Sequence, residues 1–265
     1  MIDTVLFDMG GTLEDIVSTP QTLALAAHRI TQILVGHGIG VPKTAEEMAA
    51  LLSEGLLLYS QSRDISNMEL KPERIWPEYM LRSLRLDRGQ LEAVSEELAF
   101  AWENCYFDRC LRPGVDQLLS GLQSLGLKLG IVSNTASLYQ VFDQLEKYGI
   151  RGYFRDVTLS SQVGYRKPHP GIFRVALLQL GSLPQHSMYV GDTLSRDVLG
   201  SKRAGFACSV LIHSQLTKQK DETLRDAPGP DYIVTSIGEV LPLCRSLCEN
   251  SSAQNEAALL SQGVR

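Results

Sequence analysis

Two patterns of apolar and polar positions divide the chain. From about Arg112 onward, short apolar runs alternate with amphipathic stretches: LKLGIVSN, SMYVGD and ACSVLIH each read as a strand running into a polar loop. Helices fit around them at Gly114 to Leu125, Ser137 to Tyr148, Gly171 to Gln179 and Ser195 to Ala204. The opening stretch, MIDTVLFDMGGTLED, has the same character, with a strand through Val5, Leu6 and Phe7 that stops at Asp8. This alternation predicts an α/β fold: a Rossmann-like parallel sheet with helices on both faces. In such sheets the ligand crevice lies at the carboxyl ends of the strands, so the polar residues directly after each strand are the first candidates for function.

Between Asp15 and about Cys110 the periodicity is helical and strand signals are nearly missing. The segments TLALAAHRITQILVGHG, AEEMAALLSEGLLLYSQS, PERIWPEYMLRSL and GQLEAVSEELAFAWENCY predict an all-helical insert. Pro20 marks a helix start, Pro42 and Pro72 fall between helices, and Arg112-Pro113-Gly114 marks the return to the core. Because the insert follows the first strand directly, it can lie over that strand's end as a lid. The expected organisation is a core of residues 1–15 and 112–249, a helical unit of residues 16–111, and a polar, loosely held tail at residues 250–265.

Composition narrows the classes of function. With 265 residues and 44% hydrophobic content the chain can bury a full core, and no apolar run approaches the roughly 20 residues of a membrane span. A net charge of −5 argues against global attraction to nucleic acid, so any basic site must be local. Five cysteines, Cys105, Cys110, Cys208, Cys244 and Cys248, form no CxxC pair and no metal-ligand spacing, and read as reduced thiols. The N-terminus enters a strand without a signal-like segment. These features predict a cytoplasmic protein with no nucleic-acid or membrane partner, as a monomer or homodimer.

Four motifs stand at expected strand ends, in order: Asp8-Met9-Gly10-Gly11-Thr12, Ser133-Asn134-Thr135, Arg166-Lys167-Pro168, and Gly191-Asp192-Thr193 with Asp197 beyond. Each alone has a bland reading as a cap, a turn or a loop. Their order and separations are what single them out. Attack on phosphorus by a carboxylate must overcome repulsion from a dianionic phosphate, which calls for a divalent cation and a lysine; Asp8, Asp192 and Lys167 supply those elements. Hard oxygen donors favour Mg²⁺ over zinc. The Ser133 hydroxyl and backbone N–H groups around Gly11 and Asn134 can hold developing charge, and Gly11 lets the backbone approach a phosphate closely.

The motif set resembles the haloacid dehalogenase superfamily over about the first 215 residues, with an insert similar to its C1-type cap. That resemblance implies a mostly Mg²⁺-dependent phosphatase fold acting on a small phosphorylated molecule. It makes Asp8 the nucleophile and first metal ligand, Ser133 and Lys167 phosphate-binding groups, Asp192 a metal ligand, and Asp197 the second acidic residue of the last motif, also assigned to the metal. Gly11, Thr12 and Asn134 join Lys167 as substrate-binding positions, and the Gly10 backbone carbonyl is a further metal ligand.

One position departs from the pattern. Family phosphatases carry a second aspartate two residues after the nucleophile, which protonates the leaving group and activates water; here that residue is Gly10. A positioned acid or base is worth roughly 10²- to 10⁴-fold. Glu14 and Asp15 are the nearest substitutes in sequence, and His169 is a further candidate for proton transfer. Three readings follow: a phosphatase with a substitute acid or a good leaving group, a carbon–phosphorus or carbon–halogen hydrolase, or a phosphate-binding protein without turnover. In the resemblance, dehalogenases need no metal-binding acidic pair, yet GDTLSRD is intact here, and a carbon–phosphorus hydrolase like phosphonoacetaldehyde hydrolase needs a lysine on the first helix of the insert, where none is present. Trp76 could line a pocket under the insert but reads first as a core aromatic, and Arg63, Arg82, Arg85 and Arg88 could meet substrate anions but read first as solvated helix positions.

Overall fold

The structure, a computed structural model, describes residues 1–41, 43–214, 221 and 228–249. Pro42 and the tail at 250–265, both part of the sequence reading, lie outside the described residues.

Eight strands form two sheets. They are β1 (Thr4–Phe7), β2 (Glu14–Val17), β3 (Asp108–Leu111), β4 (Lys128–Ser133), β5 (Asp156–Leu159), β6 (Ser187–Gly191), β7 (Cys208–Ile212) and β8 (Tyr232–Val234). Six of them make one parallel sheet in the order β5-β4-β1-β6-β7-β8. Strand order reverses at β1: the chain moves outward through β4 and β5, then returns to the other side of β1 with β6. The crevice expected at such a switch point therefore opens over the ends of β4, β1 and β6.

The helices are α1 (Pro20–Gly36), α2 (Ala45–Ser66), α3 (Pro72–Ile75) and α4 (Arg88–Tyr106), which pack on one another, and α5 (Val115–Ser124), α6 (Gln140–Lys147), α7 (Ser160–Val163), α8 (Pro170–Leu180) and α9 (Leu199–Ala204), which follow the strands of the sheet; residues 240–249 are also helical. The two-residue period of the buried strands sorts side chains to two faces. Val5, Phe7, Ile131 and Val190 join Leu118 and Leu122 of α5 and Val240 in one core cluster. Leu6, Val132 and Tyr189 point the other way, onto Phe173, Ala176 and Leu177 of α8. Each strand is thus apolar on both faces, as a sheet covered on both sides requires.

The helical segment has a core of its own, built from Ile30, Leu52, Trp76, Met80, Leu98 and neighbouring residues between Ala26 and Trp102. Its helices start where the sequence supplies caps. Thr19 accepts from the Thr22 N–H ahead of Pro20, and Thr44 and Glu47 form a reciprocal capping box at α2. After α3 the chain makes a widened turn over Trp76–Met80, closed by the Leu81 N–H on the Trp76 carbonyl at 2.9 Å. Pro77 lies inside this turn; lacking an N–H, it cannot propagate the ordinary helical ladder. Trp76 is buried in this core, as its sequence context predicts.

Four short elements escape the sequence reading. Strands β2 and β3 pair antiparallel, Ile16 opposite Arg109, so the two ends of the insert form a ribbon where the sequence predicts only helix. β5 and β8 extend the sheet at its edges with four and three residues. Two clasps hold the helical segment over the sheet. The Glu69 N–H donates to the Gly164 carbonyl at 2.7 Å and the Arg166 N–H to the Asn67 carbonyl at 3.0 Å; Glu96 accepts from the Ser137 hydroxyl at 2.6 Å and the Leu138 N–H at 2.9 Å. All five cysteines are free thiols, and none of the described helices is long and apolar enough to cross a membrane.

Candidate active site

The site assembles at the switch point from the residues that follow four neighbouring strands. Asp8 leaves β1, Ser133 ends β4, Asp192 leaves β6, and Lys167 arrives on the loop after α7. The Asp8 N–H continues the ladder to the Val190 carbonyl at 2.9 Å, which holds Asp8 beside the β6 end. A cavity of about 260 Å³ opens there, walled by Asp8, Gly10, Ser133, Asn134, Lys167 and Asp192 from the core and by Leu56, Arg63 and Trp102 from the helical segment.

Lys167 is the electrostatic centre. Its Nζ lies 2.7 Å from Asp8 Oδ1, 2.8 Å from Asp197 Oδ1 and 3.0 Å from the Tyr189 hydroxyl. Asp8 Oδ1 also accepts the Met9 N–H at 2.7 Å, so the carboxylate is fixed in one orientation. Burial pushes the Asp8 carboxyl above its ordinary range, against the pull of Lys167, whereas Lys167 and the Thr193 donors hold Asp197 below it despite burial. The Lys167 ammonium is raised: its two carboxylate partners outweigh the desolvation that opposes charge.

Carboxylate oxygens of Asp8, Asp192 and Asp197 approach within 4.8 Å of one another. These residues are only 8%, 2% and 1% exposed, and Lys167 is ion-paired with two of them, Asp8 and Asp197. Their all-oxygen donor set, gathered in so small a volume, suits a hard divalent cation. The chemistry of the cluster therefore fits a metal. Asp197 is already engaged: its Oδ2 accepts from the Thr193 N–H at 3.0 Å and hydroxyl at 2.6 Å, and its Oδ1 from Tyr189 and Lys167. Its hydrogen bonds hold Lys167 and the loop after β6.

Other predicted residues separate by position. Ser133 lines the cavity, and its hydroxyl forms no hydrogen bond among the described residues. Asn134 lines the cavity, but its amide is spent on the Lys167 backbone, accepting from the N–H at 2.9 Å and donating to the carbonyl at 3.1 Å; it positions the lysine loop. Gly11 and Thr12 stand behind the wall. The Gly11 N–H donates to the Glu14 carbonyl at 2.7 Å and is not free for a phosphate. The need for glycine there is steric: with φ +89°, a Cβ would lie 2.2 Å from Asp192 Oδ2. The Thr12 hydroxyl is buried without a partner among the described residues.

At Gly10 the missing side chain leaves room that neighbours have filled. A Cβ there would meet Ile16 Cδ1 at 2.9 Å and Glu14 Oε1 at 3.8 Å. Glu14 is fully buried, ion-paired with Arg109 and hydrogen-bonded by the Tyr148 hydroxyl at 3.0 Å, and burial pushes its carboxyl up. Asp15 instead points outward to Arg112 at 2.9 Å. His169 caps α8 through the Gly171 N–H at 3.0 Å and stacks on Tyr165, which settles its place as a helix-entry residue. The sequence reading missed Arg109 and Trp102 at the cavity. For Arg63 it sets a solvated face above contact with substrate anions, and the packing of α2 over the crevice places Arg63 at the cavity.

Comparisons with known proteins agree with this architecture. A family model described as haloacid dehalogenase-like hydrolase matches residues 2–205. The glyceraldehyde 3-phosphate phosphatase of Methanopyrus kandleri is 29% identical over 253 residues, covering 94% of this chain and all of that one. The pyrimidine 5'-nucleotidase YjjG of Escherichia coli is 30% identical over 203 residues, covering 71% of this chain and 84% of its own. In fold, a 2-haloacid dehalogenase from Pseudomonas syringae superposes with a TM-score of 0.65 at 18% identity, over 93% of this chain and 100% of that one. A parallel sheet with its polar strand ends gathered under a helical insert, and a sequence match over most of its length, make this chain a hydrolase of the haloacid dehalogenase-like family.

Proposed function

We propose that the protein is a phosphohydrolase that removes phosphate from a small phosphorylated metabolite through a covalent intermediate on Asp8. The observation that carries this reading is the buried Asp8 carboxylate, locked by Lys167 at 2.7 Å and the Met9 N–H at 2.7 Å and open to the cavity between Ser133 and Asp192. Phosphatase-named relatives support the same class.

In this reading Asp8 Oδ2, which takes no hydrogen bond among the described residues, attacks phosphorus as the bond to the leaving oxygen breaks. Lys167 and the Ser133 hydroxyl hold the phosphate oxygens, and water then cleaves the acyl phosphate to free Asp8. Asp8, Asp192 and the Gly10 carbonyl would hold Mg²⁺, with Asp197 beside them, and the ion when bound neutralises charge on the phosphate. Gly10 offers no carboxyl to protonate the leaving group, and Glu14, bound by Arg109 and Tyr148, does not line the cavity. Substrates whose leaving oxygen needs little protonation are therefore favoured over simple alkyl phosphates.

A carbon–phosphorus hydrolase working through a Schiff base has less support, since Lys167 is the only lysine lining this cavity among the described residues and it is tied to Asp8 and Asp197. The test is hydrolysis of p-nitrophenyl phosphate and a panel of metabolite phosphates, with Mg²⁺ and with chelator. Turnover that requires the metal supports the proposal. Phosphate binding without turnover on any substrate would favour a binding protein.

A further inference from the structure

Next to the Asp8 cavity lies an outer one of about 390 Å³, and Arg63, Arg166, Lys167 and Arg196 line both. Two of these cations are accounted for: Arg166 is ion-paired with Glu69, and Lys167 with Asp8 and Asp197. The other two carry no such pair. Neither the Arg63 nor the Arg196 guanidinium forms an ion pair or hydrogen bond with a described side chain; Arg63 lies over the Tyr59 ring, 5.4 Å from its centroid, and its Nε is buried with no hydrogen-bond partner among the described residues. Arg63 comes from α2 in the helical segment and Arg196 from the turn after Asp192 in the core, so the pair spans the mouth from its two sides. Asp64, the carboxylate that lines the outer cavity, is exposed and pairs with neither.

The two guanidinium groups stand beside Arg166 at one cavity, and the Glu103 carboxylate that lines its inner part is ion-paired with Arg109. Burial, Arg166 and Arg196 pull Arg63 down to about 10, against the opposing pull of Glu69. A planar guanidinium with open donors recognises carboxylate or phosphate oxygens in pairs.

We propose that Arg63 and Arg196 form a second anion subsite, so that the substrate is a small phosphorylated molecule bearing a further carboxylate or phosphate. The inference rests on the phosphohydrolase reading for which end of the substrate enters first: one phosphate reaches Asp8 and Lys167, and the distal anion stays between the helical segment and the core. Binding of that anion would also draw the two parts together, because each supplies one arginine.

The test compares 3-phosphoglycerate and fructose 1,6-bisphosphate with glycerol 3-phosphate, which lacks the second anion, on wild type, Arg63→Gln and Arg196→Gln. A charge-assisted hydrogen bond to a buried cation corresponds to about ten- to a hundred-fold in affinity. Wild type should prefer at least one of the doubly anionic compounds by about that factor in kcat/KM, and each variant should lower the ratio by a similar factor through KM. Because the readout is a ratio on one preparation, partial loss of folded protein does not imitate it. Which compound wins decides between carboxylate and phosphate. A ratio that is the same in wild type and both variants overturns the subsite while leaving the hydrolase reading intact. If nothing turns over, the hydrolase reading fails and the same ratio is taken from calorimetric dissociation constants: a drop in the variants sustains the subsite, and equal values sink it.

Discussion

Gly11 and Asp192 occupy one volume: a methyl group on Gly11 would sit 2.2 Å from Asp192 Oδ2, and the backbone there has φ +89°. The turn after β1 and the turn after β6 can close on each other because the first has no side chain to offer.

Replacing Gly11 by alanine is therefore expected to cost about 1–3 kcal/mol of stability from the backbone alone. Mg²⁺ is expected to raise the Tm of the wild type, and Gly11→Ala should displace Asp192 and abolish that rise. Thermal melts with and without Mg²⁺ check this. An undiminished Mg²⁺-dependent shift in the variant would contradict the placement of Asp192 at the metal.

Lys167 compensates two buried carboxylates at once. Lys167→Met should destabilise the metal-free protein by about 3–5 kcal/mol, the scale for stripping one partner from a buried ion pair. Added Mg²⁺ should recover part of that loss by taking over the neutralisation. Urea unfolding in chelator and in Mg²⁺ reads both numbers, and equal losses in the two conditions would argue against a cation at the carboxylate cluster.

Restoring the missing carboxyl requires space as well as chemistry. In Gly10→Asp the new Cβ presses on Ile16 Cδ1 at 2.9 Å and faces Glu14. The paired variant Gly10→Asp with Ile16→Val removes that methyl group. It should raise kcat on a simple alkyl phosphate towards the roughly 10²- to 10⁴-fold worth of a general acid, with the single variant gaining less. Well-folded variants with no gain would place the proton carrier elsewhere.

Within the helical segment, Gly55 of α2 lies against backbone atoms of the widened turn, where a Cβ would meet Met80 Cα at 2.6 Å and the Tyr79 carbonyl oxygen at 2.8 Å. Backbone cannot step aside as a side chain can, so Gly55→Ala should cost about 1–3 kcal/mol by overpacking. Gly36, at the end of α1, has nothing within 4 Å of its missing Cβ. Gly36→Ala should be neutral or stabilise by up to about 1 kcal/mol. Denaturant unfolding of the two variants side by side distinguishes packing from propensity.

What could be read from the sequence follows from where the information is local. Asp8 and Asp192 stand directly after buried strands and Ser133 ends one, and a buried parallel strand is a short, dense apolar run that a single sequence displays. Arg63 lies in a helix whose polar and apolar positions alternate weakly, so nothing local says which face meets the crevice. The fate of Asn134 and Gly11 depends on hydrogen bonds to residues 33 and 3 positions away, set by loop closure. Trp76 and Trp102 are both insert aromatics, and only the packing of α4 decides that Trp102 reaches the cavity. Strands β2 and β3 are four residues each and 90 apart in the chain; pairing, more than propensity, makes them strands.

The central claim is that Asp8 is the attacking group in a metal-assisted phosphohydrolase. Its most direct test is p-nitrophenyl phosphate hydrolysis by wild type and Asp8→Asn, each with Mg²⁺ and with chelator. The expected result is turnover only in wild type with Mg²⁺. Activity retained by a folded Asp8→Asn protein would contradict the assignment.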